Sequence, residues 1–138
     1  MGQKTHPIGF RLNVNKNWRS NWYAQKNNFS SELEEDIRIR KYIQLRLPNA
    51  GISKVEIART SKRVTVTIFT ACPGIVIGRG GEEVNRLKKE LRQLTGTKDA
   101  QINISEVKRP EMDAALVGAN IAHQLKKKIS YRRVVNKT

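Results

Sequence analysis

The run Gly74-Ile75-Val76-Ile77-Gly78-Arg79-Gly80-Gly81-Glu82-Glu83-Val84 is the segment best suited to chemistry. Glycines at both ends of a G-x-x-G turn, Gly78 and Gly81, let the backbone come within contact distance of a sugar-phosphate. A helix that follows such a turn points its free N–H groups and its positive dipole end at the phosphates. Arg79 adds a mobile cation, so Gly78, Arg79, Gly80 and Gly81 are candidates for holding a phosphate-bearing ligand. A Walker-type loop would need Gly-Lys-Ser/Thr here, and a dinucleotide fingerprint would need Gly where Glu83 stands. Glu82 and Glu83 suit the first turn of a helix but oppose phosphate, which predicts modest affinity at this turn. Much of the binding is then expected from elsewhere.

Other chemistries find less support. The carboxylates of Glu34-Glu35-Asp36 and Glu82-Glu83 are neighbours in sequence and on a helix would not face each other. Cys72 lies far from His6 and His123, without metal-ligand spacing, and is expected to be a buried structural thiol. No catalysis, cofactor, metal or small-molecule substrate is expected. Charge points instead to a polyanion, because 27 Lys and Arg face 12 Asp and Glu. No apolar run approaches the roughly 18 residues of a spanning helix, no secretory signal opens the chain, and His6 stands where an N-myristoylation signal wants Ser or Thr. A soluble, cytoplasmic nucleic-acid binder with no membrane partner is expected.

Residues 1–29 hold Lys4, Arg11, Lys16, Arg19 and Lys26, no acid, and the aromatics Trp18, Trp22, Tyr23 and Phe29, without helical or strand period. Such a segment is expected to order on a partner, its aromatics docking on a neighbouring surface or stacking on bases. Ser31 and Glu34 read as a capping box opening a helix with Leu33, Ile37, Ile39, Ile43 and Leu47 on one side. Pro48-Asn49-Ala50-Gly51 ends it. Residues 53–70 alternate as a β-hairpin broken at Ser61-Lys62. After the Gly-rich turn, Val84, Leu87, Leu91 and Leu94 mark a second helix capped by Gly96, and Ile102 and Ile104 a third strand. Beyond Lys108-Arg109-Pro110, a helix from Pro110 to about Ser130 is predicted, its Ala115, Ala119 and Ala122 open to close approach by another element. Five cations then fall within eight residues, Lys126-Lys127-Lys128 and Arg132-Arg133. The lysines suit a helix C-terminus, while the arginines can fork onto phosphate.

The segment from Ile75 to Val84 resembles the V-I-G-x-x-G-x-x-I signature of KH domains, and the order helix, hairpin, turn, helix, strand is that of the type II KH fold. The resemblance implies an α+β fold whose three-stranded sheet is packed by helices, clamping about four nucleotides of single-stranded RNA. The rest of the chain resembles the universal third-protein family of the small ribosomal subunit, bacterial or organellar. The matching stretches are Met1 to Lys4, His6-Pro7, Gly9 to Leu12, Thr70 to Gly78, Gln101 to Ile104, Glu106-Val107, Pro110-Glu111, Asp113-Ala114, Gln124-Leu125 and Tyr131-Arg132-Arg133.

This second resemblance implies a structural protein of the small-subunit head bound to rRNA, near the mRNA entrance and beside the tenth and fourteenth proteins. Arg132 and Arg133 match an Arg pair that the family places at that entrance. Lys4, Arg11, Lys108, Lys126 and Lys127 are the further cations expected on RNA. A free-standing KH protein, an RNA chaperone or decay factor, is the alternative. Three residues depart from the pattern: Asn13 replaces a usual Gly, Cys72 a common basic residue, and Asn136 a third basic residue. The expected organisation is a basic extension (1–29), the KH domain (30–108) and the start of a C-terminal domain (109–138). The sequence is accordingly expected to be an N-terminal portion, a truncated gene model or a split gene product.

Overall fold

Alternation of apolar residues builds the sheet. In the computed structural model, which describes residues 2–96 and 99–137, β2 (Ile52–Arg59) and β3 (Arg63–Thr70) form the antiparallel hairpin. Val55, Ile57, Val64, Val66 and Ile68 are buried on one face, with Val55 opposite Ile68 and Ile57 opposite Val66. The third predicted strand, β4 (Asp99–Glu106), runs parallel to β3 and sets Ile102 beside Val66 and Ile104 beside Ile68. Met1, singled out above, lies outside the described residues.

Two helices cover this face. They are α2 (Lys26–Arg46), contributing Ile39, Ile43 and Leu47 at its end, and α4 (Glu82–Leu94), contributing Leu87 and Leu91. Each fully buried aliphatic side chain stabilises by about 1.5–3 kcal/mol. Arg46 and Tyr42 of α2 tie the two helices together: Arg46 Nη2 lies 3.2 Å from Glu83 Oε2, and the Tyr42 hydroxyl donates to the Glu90 carboxylate. Burial, then that carboxylate, push the Tyr42 hydroxyl above its usual pKa.

The sheet has a fourth strand that the sequence did not disclose. β1 (Ser20–Asn21) pairs parallel with β2 at Ile57 and Ala58, giving the order β1-β2-β3-β4. The segment expected to order only on a partner thus docks on its own domain. It also contains a short helix, α1 (Pro7–Arg11), capped by His6, whose Nδ1 accepts from Gly9 N.

The first long helix starts at Lys26, before the predicted capping box. Ser31 sits inside it, donating to Asn28 O, and Glu34 pairs with Arg38 rather than with the helix start. The extra turn holds Phe29, whose ring packs 5.5 Å from that of Trp22. The helix also turns a different stripe inward: Leu33 and Ile37 are exposed, and the buried line is Asp36, Ile39, Ile43.

Toward the C-terminus, Pro110 opens one 3-10 turn (Pro110–Met112), and the helix proper, α5 (Ala114–Lys126), begins after Asp113. The Asp113 carboxylate accepts from Ala115 N and from the Ser53 hydroxyl, fixing α5 to the start of β2. The Ser53 bond foremost, then the backbone N–H groups, hold the Asp113 carboxyl below its usual range against the opposing effect of burial. Ala115, Ala119 and Ala122 are exposed, and α5 buries Leu116 instead. A further short helix, α6 (Tyr131–Lys137), contacts α5 and buries Val134.

Candidate nucleic-acid interface

The glycine turn is set by what precedes and follows it. Buried Thr70 at the end of β3 donates to Ala50 O and accepts from Cys72 N at 3.1 Å, which fixes the exit of the strand. The short helix α3 (Pro73–Ile77) follows, with Val76 buried and Ile75 and Ile77 exposed. Gly78 then adopts φ 70°, ψ −178°, a region reserved for glycine. A Cβ there would sit 2.7 Å from Glu83 Cγ, so the turn closes onto α4 through a position that tolerates no side chain.

Gly80 and Gly81 also have positive φ but face open space, so that part of the turn lies accessible to a ligand. Gly81 is the N-cap of α4 and offers no side-chain cap, while the N–H of Glu82, first in the helix, is donated to Arg79 O within the turn. Arg79 is exposed.

The acidic pair is less of an obstacle than its sequence suggests. Glu83 is neutralised within the chain, by Arg46 on one oxygen and by Arg86 at 3.2 Å on the other. Glu82 remains exposed and borders, with Asn85, Arg86 and Lys89, a shallow recess of about 300 Å³. Ile75 and Ile77, exposed on α3 just before the turn, offer apolar contact. The arrangement suits holding a sugar-phosphate chain, with bases against apolar groups.

The other candidates lie apart from the turn along the chain, and all are exposed. Arg11 sits in α1, its Nη1 donating to Pro7 O at 3.0 Å, and Lys4 precedes that helix. Lys108 follows β4. Lys126 ends α5 and Lys127 caps it. Arg132 and Arg133, expected in a tail past the last helix, instead occupy the first turn of α6, where the Arg132 guanidinium stacks 5.9 Å from the Tyr131 ring. The Tyr131-to-Lys137 stretch is long enough to form its own helix, and burial of Val134 supports it.

Cys72 is exposed, contrary to the expected buried thiol, because it leaves the sheet at the N-cap of α3. Asn13 adopts φ 63°, which explains a usual Gly there; Asn is among the few side chains that accept this conformation. Among the described residues no group of His, Cys, Asp and Glu could hold a metal ion, and no helix is long and apolar enough to cross a membrane.

One feature that positions the extension escaped the sequence: a buried carboxylate that anchors it to the domain. Asp36, fully buried, accepts from Ser20 Oγ at 2.9 Å, from Trp22 Nε1 at 2.8 Å and from Arg59 Nε at 2.8 Å. Arg59 also reaches Glu35 at 2.7 Å. Burial alone would lower the Arg59 pKa, yet Glu35 and Asp36 raise it. The available sign was an acid at the i−3 position of the Ile39 and Ile43 stripe.

These features define a KH-type RNA-binding module, and the sequence matches the KH domain over residues 38–112. The chain belongs to the KH domain family. It is also similar to proteins named small ribosomal subunit protein uS3, which bears out the second resemblance. The one from Cytophaga hutchinsonii is 62% identical over 98% of this chain and 52% of its own length. That from Salinibacter ruber is 57% identical over 98% and 56%, and that from Syntrophomonas wolfei 55% identical over 100% and 60%. The chain therefore spans between half and three-fifths of the length of these relatives.

Proposed function

We propose that the chain is a structural constituent of the small ribosomal subunit that binds small-subunit rRNA and performs no catalysis. The observation that carries this reading is the Gly78–Gly81 turn, with open space at Gly80 and Gly81 and the neighbouring Glu83 already neutralised. The similarity to uS3 proteins along the whole chain selects the ribosome from among RNA partners. Residues 1–29 act as a basic extension anchored on the domain, 30–108 as the RNA-binding domain, and 109–138 as the start of a second unit. The extension boundary falls inside α2, so the two parts share a rigid helix.

In this reading the protein works in the cytoplasm, in the subunit head beside the tenth and fourteenth proteins. Lys4, Arg11, Lys108, Lys126 and Lys127 meet RNA phosphates, and Arg132 and Arg133 grip mRNA at its entrance. Cosedimentation with small subunits at moderate salt is the test. Binding to small subunits is expected; binding to free RNA alone would favour a free-standing KH protein. Changing Arg132 and Arg133 to Ala should leave cosedimentation intact and slow translation of structured mRNA, whereas loss of cosedimentation would assign the pair to rRNA.

A further inference from the structure

A cleft larger than the recess beside the glycine turn lies elsewhere in the molecule. It lies between the N-terminal extension and the domain, has a volume of about 910 Å³, and is walled by the Asn15–Ser20 segment, Arg40 of α2, the start of β2 and the start of α5. That volume lies within the range of ligand-binding pockets, several hundred to about 1,000 Å³.

Its walls are held in place. Arg19 O accepts both Ile57 N and Arg40 Nη2, each at 2.9 Å. One residue further on, Ser20 begins the strand that the Asp36 cluster anchors. On the other side the Asn13 turn is closed by Asn13 N to Lys16 O and Lys16 N to Arg11 O, both 3.0 Å. Between these anchors Trp18 stands 57% exposed, flanked by Lys16 and Arg19, which make no ion pair among the described residues.

The two carboxylates on the cleft wall are already occupied: Glu56 pairs with Lys54 at 2.6 Å, and Asp113 holds Ser53 and the N-terminus of α5. The cleft thus combines cations without an ion pair among the described residues, side-chain amides at Asn15 and Asn17, and a largely exposed indole on an anchored backbone. A base stacks on an indole whatever its identity, and the flanking cations meet its phosphates.

We propose that this cleft is a second RNA site, separate from the glycine turn, in which the Trp18 ring stacks on an unpaired base while Lys16 and Arg19 hold its phosphates. Because the extension is anchored before RNA arrives, little ordering entropy opposes binding there.

The test uses the whole chain and a single-stranded oligouridylate of about ten nucleotides, within the span such grooves accept. Affinity and quenching of tryptophan emission are measured for the parent, Trp18→Ala, Trp18→Phe, and the Arg79→Asp, Gly80→Asp pair. Trp18→Ala should weaken binding roughly five- to a hundredfold and abolish the quench, and Trp18→Phe should restore most of the affinity. The loop pair should bind more weakly yet quench fully at saturation. Unchanged affinity in Trp18→Ala, a quench persisting in it, or equal losses in Trp18→Ala and Trp18→Phe would each overturn the second site. A loop pair that loses binding while Trp18→Ala retains it would do so and leave the proposed function standing.

Discussion

Arginine gathers at two places in this molecule, with opposite outcomes. At Asp36, Arg59 is turned inward and its guanidinium is consumed by Asp36 and Glu35, with Trp22 stacked 5.8 Å away. At the glycine turn, Arg79 pairs with no carboxylate among the described residues and is exposed, and the inner side of the turn is closed by Glu83 between Arg46 and Arg86. The first cluster is architecture, and the second is the proposed binding surface. A surplus of positive charge therefore does not locate an RNA site. In the proposed function the cations that count are those that the fold leaves without an acid.

The largest effect is expected from breaking the first cluster. Asp36→Ala would leave Arg59 buried without its main partner and release Ser20 and Trp22, costing about 3–5 kcal/mol. Denaturant unfolding checks the loss. Proteolysis should cut the first 25 residues of the variant faster than those of the parent. A variant as stable as the parent, with a protected extension, would show that the buried pair anchors nothing.

Next comes the closed side of the turn. Gly78→Ala combines a glycine-only backbone conformation with a clash against Glu83 and should cost about 1–3 kcal/mol. Gly80→Ala meets open space and should cost about 1 kcal/mol from its left-handed φ alone. Thermal unfolding of the two variants side by side would reveal whether the turn is rigid on one side and open on the other; equal losses would refute that asymmetry.

The smallest effect is the acid response of α5. The Asp113 carboxyl is held below its ordinary value of 3.8, so it stabilises the fold above that pH and loses this contribution as pH falls toward its lowered value. The Ala115 amide signal should shift in that window, and Asp113→Asn should remove the shift. An Ala115 signal that shifts only above the ordinary carboxylate value, or a shift that persists in Asp113→Asn, would mean that Asp113 is not held low at this helix start.

The sheet and the turn were legible because their signals are local. Val64, Val66 and Ile68 alternate within one strand, and Gly78 and Gly81 bracket their own turn. The extension was not legible, because its order rests on contacts between Ser20, Trp22, Asp36 and Arg59, dispersed over 40 positions of the chain. A strand of two residues carries no period at all. The α2 face was misread for a related reason: a charged residue occupies its centre, so apolar Leu33 and Ile37 were counted in place of Asp36. The turn residues were found together, but the neutralisation of Glu83 depends on Arg46 from another helix and had no trace in the motif.

The central claim, that RNA is held where the fold leaves cations without an acid beside an open glycine turn, is tested most directly at the open side of the turn. Arg79→Asp combined with Gly80→Asp places two acids beside the phosphate path, and Asp tolerates the left-handed backbone at position 80. Binding of single-stranded RNA is measured against salt, where each phosphate contact contributes a slope of about −0.7. The expected result is weaker binding and a shallower slope with an unchanged circular dichroism spectrum. Unchanged affinity and slope in a folded variant would contradict the claim and reduce Gly78–Gly81 to a turn.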